Sequence, residues 1–385
     1  MTRRRLLLAG SGLLAAVLCG ALLLSAVFRR DPFEAPPYAG FVDLTRVVIV
    51  RHSRVPVRAE ARLDDGKVIA ASGQARSQAL RFDGLEPGRE YRFVWREREG
   101  AESPEGGGAE RTFEGRFRTA PAAGPVRFAA IGDFGKTRVG KPWRARGRHF
   151  EVASAMAAWR PDLVVMPGDL VYDEGAFEEY AEGFFAPFAP LLRAGVALFP
   201  SLGDHDIKTR YARPYFAAFP LPQDGEGGGY YYSFDWGDVH FAAIDTVTRA
   251  FDRDYPQRAW LERDLGRTRK RWKVVFGHTP PFHGRSKDPE LPSSLPALLA
   301  RAGAQLYVAG HYHLYERIGP VDGVLYVTSG GGGKSLHEPV PSHPLTRTIA
   351  ARYQYLRATV EGGTCALEAV TPEGETIDRD ELRLE

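Results

Sequence analysis

The apolar positions divide the chain into two regions with different patterns. Between Tyr38 and Pro121, apolar and polar residues alternate in short runs separated by turns, as in "VRAEARL" (57–63) and "YRFVW" (91–95). Alternation with a period of two gives a strand one apolar and one polar face. This region is therefore predicted to be an antiparallel β-domain, with the Gly-rich stretch 104–110 as a hairpin loop.

After Pro125, continuous apolar runs alternate with stretches that are compatible with helices. The runs are "VRFAAI" (126–131), "DLVVM" (162–166), "VALFP" (196–200), "WKVVF" (272–276), "QLYVA" (305–309) and "VLYVTS" (324–329). Runs of this kind are typical of strands that are buried on both faces, so an α/β domain is predicted. Two hairpins are also expected, one turning at residues 236–238 and one at 362–363.

The N-terminus is predicted to be a targeting segment. Three arginines at positions 3–5 precede an apolar stretch over residues 6–28, which Arg29 and Arg30 close. About 23 apolar residues are enough to span a bilayer, so residues 1–30 are interpreted as a signal peptide or a retained membrane anchor. The body of the protein is then expected to be exported, on the periplasmic or extracellular face. Residues 31–37, "DPFEAPP", are predicted to be a short stiff linker.

Composition narrows the classes of partner. The chain has 385 residues, with 51 Lys and Arg against 48 Asp and Glu, and the net charge of +3 gives no basic stripe for nucleic acid. Cys365 is the one cysteine outside the N-terminal segment, so no internal disulfide is expected in the folded part.

Polar residues of a restricted kind follow five of the predicted strands. The motifs, in chain order, are Gly132-Asp133, Gly168-Asp169 with Tyr172, Gly203-Asp204-His205-Asp206, Gly277-His278 and Gly310-His311-Tyr312-His313. The carboxyl ends of strands in an open α/β sheet share one crevice, so these side chains are expected to converge. One Gly-Asp pair is typical of an ordinary turn, but five in order indicate a shared site. Three carboxylates, three imidazoles and one phenol are enough ligands for two metal ions.

The series "GDFG", "GDLVY", "GDHD", "GH" and "GHYH" resembles the signature of the calcineurin-like metallophosphoesterases, in the purple acid phosphatase-like branch. In the first region, "GLEPGREYRFVW" followed by "FRTAP" resembles a fibronectin type III domain. The resemblance implies an all-β sandwich over residues 38–121, followed by a four-layer α/β metallophosphoesterase domain over residues 125–385, with β-sheets flanked by helices.

The resemblance also implies the roles of individual residues. Asp133, Tyr172 and His313 would hold one metal ion, Asp169 would bridge, and His278, His311 and Asp204 would hold the other. The metal pair would be Fe³⁺ with Zn²⁺, Mn²⁺ or Fe²⁺, and it would lower the pKa of a bound water that attacks phosphorus. His205 would act as the general acid or hold the phosphate, and Asp206 would orient His205.

The chain departs from the family pattern at two positions. The family expects Asn where Asp204 stands, and the extra negative charge is predicted to hold the second metal more tightly while weakening it as a Lewis acid. Many purple acid phosphatases have a further substrate-facing His at the position of Asp288, and the nearby His283 is a candidate substitute or an ordinary surface residue.

The implied function is the hydrolysis of small phosphomonoesters outside the cytosol. Two alternatives stay open: a phosphodiesterase acting on nucleotides or lipid head groups, and a non-catalytic surface protein whose β-domain binds a ligand. The segment "TSGGGGKS" (328–335) lacks the first glycine of a P-loop, because Thr328 stands at that position. It is predicted to be a flexible loop beside the crevice, with Lys334 as a candidate phosphate contact. His240 is expected to be buried, whereas His52, His149, His337 and His343 are expected at the surface.

Overall fold

The structure is a computed structural model that describes residues 34–100, 109–137, 147–222, 226–248, 256–282, 294–341 and 343–384. The predicted signal peptide or anchor over residues 1–30 lies outside the described residues, and so does His283. Among the helices of the described ranges, none combines the length and the apolar character needed to cross a bilayer.

Six strands build the N-terminal domain: β1 (Ala35–Val42), β2 (Val47–Leu63), β3 (Val68–Ala70), β4 (Ala75–Phe82), β5 (Glu90–Glu99) and β6 (Glu110–Arg118). The long strand β2 pairs antiparallel with β1 and β4 through its first half, and with β3 and β5 through its second half. Alternate residues of β5, including Tyr91, Phe93 and Trp95, are buried. The predicted half-buried antiparallel strands are therefore confirmed.

The predicted linker over residues 31–37 is wrong in its last three residues. Strand β1 begins at Ala35, whose carbonyl oxygen accepts a hydrogen bond of 2.7 Å from Nη1 of the buried Arg51 on β2. The prolines at 36 and 37 suggested a stiff spacer, but a strand at the edge of a sheet tolerates proline because one row of its N–H groups needs no partner.

The rest of the described chain contains fifteen strands and six helices. The strands are β7 (Val126–Ala130), β8 (Gly135–Lys136), β9 (Leu163–Pro167), β10 (Val171–Tyr172), β11 (Ala197–Ser201), β12 (Tyr232–Trp236), β13 (Val239–Ala243), β14 (Trp272–Phe276), β15 (Leu306–Ala309), β16 (Tyr315–Val321), β17 (Val324–Ser329), β18 (Thr346–Ala350), β19 (Tyr355–Glu361), β20 (Thr364–Val370) and β21 (Thr376–Arg383). The helices are α1 (His149–Trp159), α2 (Phe177–Tyr180), α3 (Ala186–Ala194), α4 (Arg213–Ala218), α5 (Pro256–Arg267) and α6 (Ser294–Arg301), with a π-helical segment (Ala181–Phe185) between α2 and α3.

These strands form two large sheets. The first has the order β11-β9-β7-β19-β20-β21, and the second has the order β12-β13-β14-β15-β17-β16-β18. Both predicted hairpins are confirmed: β12 turns into β13 at Gly237-Asp238, and β19 turns into β20 at Gly362-Gly363. The strands that carry the five motifs lie in the parallel parts of the sheets or end beside them.

The two sheets pack face to face and helices cover their outer faces. Aromatic rings fill the space between the sheets, with ring centroids of Phe128 and Phe241 5.2 Å apart and those of Phe199 and Phe234 3.6 Å apart. On the outside of the first sheet, Tyr355 Oη donates to the carbonyl of Ala155 in α1. A separate cluster of leucines from α5 and α6 packs on the second sheet. The predicted four-layer α/β architecture is confirmed.

The N-terminal domain packs directly on the first sheet. Tyr38 Oη donates to the carbonyl oxygen of Ala218 at 2.5 Å, and the rings of Phe41 and Phe199 meet edge to face at 6.0 Å. Buried residues from both domains take part in one continuous hydrophobic cluster. The β-domain is thus a packing partner of the α/β domain.

Two of the histidines expected at the surface are buried instead. His52 lies between Tyr38 and Ser77 in the β-domain, and His149 begins α1 with Nε2 3.3 Å from the carbonyl of Glu182. Both contacts join residues that are distant in sequence, so no local pattern around either histidine indicates its burial. His240 is buried as predicted.

Candidate metal centre

Three of the predicted ligands have an unusual backbone conformation. Asp133, Asp169 and His311 have φ angles of 60°, 53° and 68°, in the left-handed region that non-glycine residues rarely adopt. Such residues cost of order 1–3 kcal/mol each, and they are found where the surrounding structure enforces them, often at functional sites. The adjacent glycines leave the necessary room: a Cβ on Gly168 would lie 2.5 Å from Nδ1 of His278, and one on Gly310 would lie 2.6 Å from Oδ2 of Asp133.

One half of the site is formed by Asp204, His278 and His311. Oδ1 of Asp204 lies 3.1 Å from Nε2 of His278 and 3.3 Å from Nδ1 of His311, and the two imidazole nitrogens are 3.2 Å apart. One ligand atom from each of the three residues can therefore reach a common metal ion. This is the set that the sequence predicts for the second metal.

The other half is formed by Asp133, Tyr172 and His313. Tyr172 Oη donates to Oδ1 of Asp133 at 2.8 Å and lies 3.3 Å from Nε2 of His313. Nε2 of His313 is in turn 3.5 Å from Oδ1 of Asp133. The three donor atoms are thus within 3.5 Å of one another, close enough to reach one cation. The set is the one predicted for the first metal.

Asp169 lies between the two halves. Its Oδ1 is 3.5 Å from Nε2 of His278, and Asp133, Asp169 and His278 together form a further group whose ligand atoms lie within 4.8 Å of one another. Asp169 also groups in the same way with Asp204 and His205. One carboxylate therefore belongs to both groups.

Backbone carbonyls orient two of the imidazoles. His278 Nδ1 lies 2.9 Å from the carbonyl of Pro167, and His313 Nδ1 lies 2.7 Å from that of Ser335. A proton on each Nδ1 is donated to the carbonyl, so that each Nε2 faces the cluster and would be the atom available to a metal ion. This outer hydrogen bond is the usual way of presenting histidine to a metal.

The charges of the cluster fit cations. Asp133 and Asp169 are almost completely buried, and burial, together with the charge of Asp169, raises the pKa of Asp133 in the metal-free chain. Burial lowers the pKa of His278, but the carboxylates of Asp169, Asp204 and Asp133 outweigh that effect and raise the pKa to about 10. Three acidic side chains held this close together under burial are unfavourable in the charged form, and bound positive ions would stabilise that form.

His205 lies at the rim of the cluster and is partly exposed. Its Nε2 is 3.8 Å from Oδ2 of Asp204 and 4.0 Å from Oδ2 of Asp169, and its Nδ1 is 2.5 Å from the carbonyl of Asp173. Lys208 Nζ also approaches the same Nδ1, at 2.7 Å. The side chain therefore lies at the exposed edge of the carboxylates.

The predicted role of Asp206 is wrong. Its carboxylate is fully buried and accepts hydrogen bonds from the backbone N–H groups of Gly203 and Leu170, at 2.9 and 3.0 Å. It joins the loop after β11 to the loop after β9, whereas the carbonyl of Asp173 orients His205. Burial, helped by the charge of Asp169, raises the pKa of Asp206 to about 8. Adjacency in sequence suggested the pairing, but the two side chains point to different partners.

The Gly-rich segment after β17 supports the site and is not a loose loop. Gly330, Gly331, Gly332 and Gly333 are buried, Gly332 N donates to the carbonyl of Gly132, and Lys334 N donates to that of Asp133 at 3.0 Å. The prediction of a flexible loop is wrong, although its position beside the crevice is right. A glycine run is compatible with either outcome, because its packing depends on the distant β7 segment.

Two further residues contact the cluster. His337 stacks on His313 with ring centroids 4.0 Å apart, so its prediction as a surface residue missed this contact. Asp173 pairs with Lys334, whose Nζ lies 2.8 Å from Oδ1. Neither contact follows from a motif in the sequence, because each joins residues of separate segments.

Comparisons with known proteins agree with this geometry. The family model for calcineurin-like phosphoesterases matches residues 126–315. Two relatives from Arabidopsis thaliana are the probable purple acid phosphatase 20, 27% identical over 290 residues, and purple acid phosphatase 21, 28% identical over 259 residues. The matches cover 68% and 60% of this chain, and 65% and 56% of the relatives, so less than two thirds of either relative is matched.

Two solved structures share the fold. A purple acid phosphatase isolated from yellow lupin (Lupinus luteus) seeds superposes with a TM-score of 0.77 at 17% identity, and covers 91% of this chain and 74% of its own. GAP50, the anchor in the inner membrane complex of Plasmodium, superposes with a TM-score of 0.53 at 18% identity, and covers 68% of this chain and 90% of its own. The strand-end cluster, the family match and these likenesses together lead to one assignment: the chain carries a calcineurin-like metallophosphoesterase domain and has homologues among the purple acid phosphatases.

Proposed function

We propose that this protein is a phosphoric ester hydrolase that cleaves small phosphomonoesters at a centre of two metal ions. The observation that carries the proposal is the position of Asp169 between two sets of donors, Asp204 with His278 and His311 on one side, and Asp133 with Tyr172 and His313 on the other. The fold alone does not decide the activity, because one fold can serve unrelated functions.

The metal ions, when bound, would supply positive charge for the phosphoryl oxygens and a water molecule of lowered pKa for the attack. Hard oxygen donors and a phenol favour Fe³⁺ at the side of Asp133 and Tyr172. At the other side, a carboxylate and two imidazoles suit Zn²⁺, Mn²⁺ or Fe²⁺. The seven residues are the ligands that we propose.

His205 would complete the reaction as the proton donor. The leaving oxygen of a phosphomonoester becomes negative as its bond to phosphorus breaks, and a proton delivered at that atom lowers the barrier. Nε2 of His205 faces the cluster from the rim, while the carbonyl of Asp173 holds the opposite nitrogen. The ring is therefore fixed with its reactive atom toward the substrate.

The preference for monoesters follows from charge. A phosphomonoester carries close to two negative charges at neutral pH, whereas a diester carries one. Lys208, at 2.7 Å from Nδ1 of His205, adds a cation at the rim beside the metal ions. The dianion gains more from this arrangement than the monoanion does. We also propose export of the body, on the basis of the apolar segment over residues 6–28.

A comparison of two aryl substrates tests the proposal. The metal-loaded chain is expected to hydrolyse p-nitrophenyl phosphate with a kcat/KM at least about tenfold above that for bis(p-nitrophenyl) phosphate. His205→Ala should lower kcat for both substrates while metal content stays unchanged. A higher kcat/KM for the diester would replace the proposal by a phosphodiesterase. A metal-replete chain without activity on any phosphoester would indicate a non-catalytic protein.

A further inference from the structure

Lys334 occupies a defined position against the candidate metal ligand Tyr172. Its Nζ lies 3.9 Å from the centroid of the Tyr172 ring, within the range of a cation–π contact. The side chain is only 17% exposed, so the ammonium faces the ring more than it faces water. A lysine that only solvated the surface would not be held over an aromatic face.

Three contacts hold Lys334 and its partner Asp173 in place. The backbone N–H of Lys334 donates to the carbonyl of Asp133, the residue whose carboxylate accepts from Tyr172 Oη. At the other end of the side chain, Asp173 Oδ1 lies 2.8 Å from Nζ. The backbone of Asp173 is itself anchored, because its N–H donates to the carboxylate of Glu179 at 2.5 Å. Both ends of the lysine are therefore tied to the structure.

A cation over the ring changes how strongly the phenol oxygen donates electrons. Positive charge at the face of a phenolate stabilises its π electrons, so that moving an electron from the ring to an acceptor requires more energy. A phenolate bound to Fe³⁺ absorbs visible light because light moves an electron from the oxygen and ring to the iron. The energy of that absorption is thus sensitive to the ammonium over the ring.

We propose that Lys334 is a positioning residue for the metal centre, which holds the Tyr172 ring in place and weakens electron donation from its phenolate to the metal. The inference rests on the proposed function only in requiring that Tyr172 binds the metal. It assigns Lys334 a contact with the ligand, which differs from the phosphate contact suggested by the sequence.

The test is the visible spectrum of the full-length, metal-free chain after titration with ferric iron alone. Lys334→Gln is expected to move the absorption maximum to longer wavelength by on the order of 10 nm. Lys334→Arg keeps the cation and should return the maximum to the wild-type value. Lys273→Gln is the control, because Lys273 lies on β14 and its Nζ donates to the carbonyl of Ala302, which follows α6. Its maximum should equal that of the wild type.

Thermal unfolding of each metal-free variant checks that it folds, and Lys334→Met replaces Lys334→Gln if the latter does not. A wild-type band whose maximum is the same in Lys334→Gln would overturn the inference and leave the ligand set intact. A wild-type chain that binds ferric iron without a visible band would overturn both this inference and the assignment of Tyr172 as a ligand.

Discussion

Two buried charged clusters in this protein are built on different principles. In the β-domain, Arg51 donates to both oxygens of Glu97, at 3.0 and 2.9 Å, and Trp95 Nε1 donates to the same carboxylate at 3.1 Å. One buried positive charge meets one buried negative charge there, and the partly exposed Glu34 lies 3.8 Å from Nη2 of Arg51. At the strand ends, Asp133, Asp169 and Asp204 face one imidazole with a raised pKa, that of His278.

The difference between the clusters separates a structural ion pair from a binding site. The Arg51–Glu97 pair needs no further ligand. Such a buried pair adds little to the stability of the folded state, but removing one of its two charges is strongly destabilising. The strand-end cluster instead brings three acidic side chains close together, and burial raises the pKa of one of them, Asp133. It combines this crowding with left-handed backbone at Asp133, Asp169 and His311. Crowded acidic groups and a strained backbone are both unfavourable in the absence of a ligand. Their coincidence indicates that the cluster is completed by cations.

The largest effect is expected from Asp169→Asn, which keeps the shape of the residue and removes its charge. Loss of the proposed bridging carboxylate should reduce kcat/KM by about 10³-fold or more. In the metal-free chain the same change should raise the free energy of unfolding by about 1–2 kcal/mol, because repulsion with the neighbouring carboxylates is relieved. Steady-state kinetics and urea unfolding, each performed with and without metal, measure the two effects.

Asp206→Asn is the matched control for that prediction. The residue is equally buried, but its carboxylate accepts from backbone N–H groups. The oxygen of an amide in the position of Oδ2 can still accept from Gly203 N–H and, at 3.3 Å, from Leu170 N–H, so most of this role is kept. Its activity loss should be at most about tenfold. A lower free energy of unfolding of the metal-free Asp169→Asn variant, in place of the expected increase, would contradict this view of the strand-end cluster.

The complete pair should respond in the opposite way. Arg51→Met leaves Glu97 buried without its partner and should lower the free energy of unfolding by about 3–5 kcal/mol. The double variant Arg51→Met/Glu97→Gln, which keeps an acceptor for Trp95, should recover a large part of this loss. Activity per folded molecule should stay at the wild-type level in both variants. Urea unfolding measures the free energy of unfolding of both variants. A double variant as unstable as the single one would show that the loss does not come from the unpaired charge of Glu97.

His240 is an intermediate case, with one imidazole between two carboxylates. Nδ1 lies 2.7 Å from Asp235 and Nε2 lies 2.9 Å from Asp264. Burial lowers the pKa of His240, but the hydrogen bonds to Asp235 and Asp264 outweigh that effect and raise it to about 9. Because the folded chain binds this proton more tightly than the unfolded chain, the stabilisation is complete below about pH 6.5 and is lost as the pH rises through 9.

His240→Gln should therefore lower the free energy of unfolding by at most about 3 kcal/mol at pH 6. The difference from the wild type should shrink steadily between pH 6.5 and pH 9. Urea unfolding at a series of pH values measures it. A difference that stays constant over this range would show that His240 contributes by packing and not by its charge.

The smallest effect is expected from Asp204→Asn, which restores the amide that the family pattern has at this position. Removing one negative charge should weaken the binding of the second metal by about tenfold and shift the pH–rate profile toward acid. Asp204 accepts from both His278 and His311, and an amide oxygen can still face them. An unchanged metal affinity and an unchanged pH profile would remove any special role for this carboxylate.

The sequence predicted the parts of the molecule that follow from local periodicity. Alternation identified β5, and continuous apolar runs identified β7, β9 and β11. Strand-end position also indicated that the seven candidate ligands would lie close together, as they do. The geometry of a parallel sheet explains this proximity, because it places strand ends at one edge, whatever the loops do.

Contacts between loops could not be predicted in this way. Asp206 follows His205 directly, yet its partners are Gly203 and Leu170, which the fold of two separate loops brings to it. Lys334 reaches Asp173 and Tyr172 across more than 160 positions. The burial of His52 likewise depends on residues from other strands. Such contacts have no period, so only the three-dimensional structure reveals them.

The most direct test of the central claim is the number of metal ions bound per chain. The metal-free protein is titrated with ferric iron and zinc, excess metal is removed, and the bound metal is measured by elemental analysis against protein concentration. The excess of carboxylates on both sides of Asp169 predicts two ions per chain for the wild type. A chain that binds one ion or none would contradict the account.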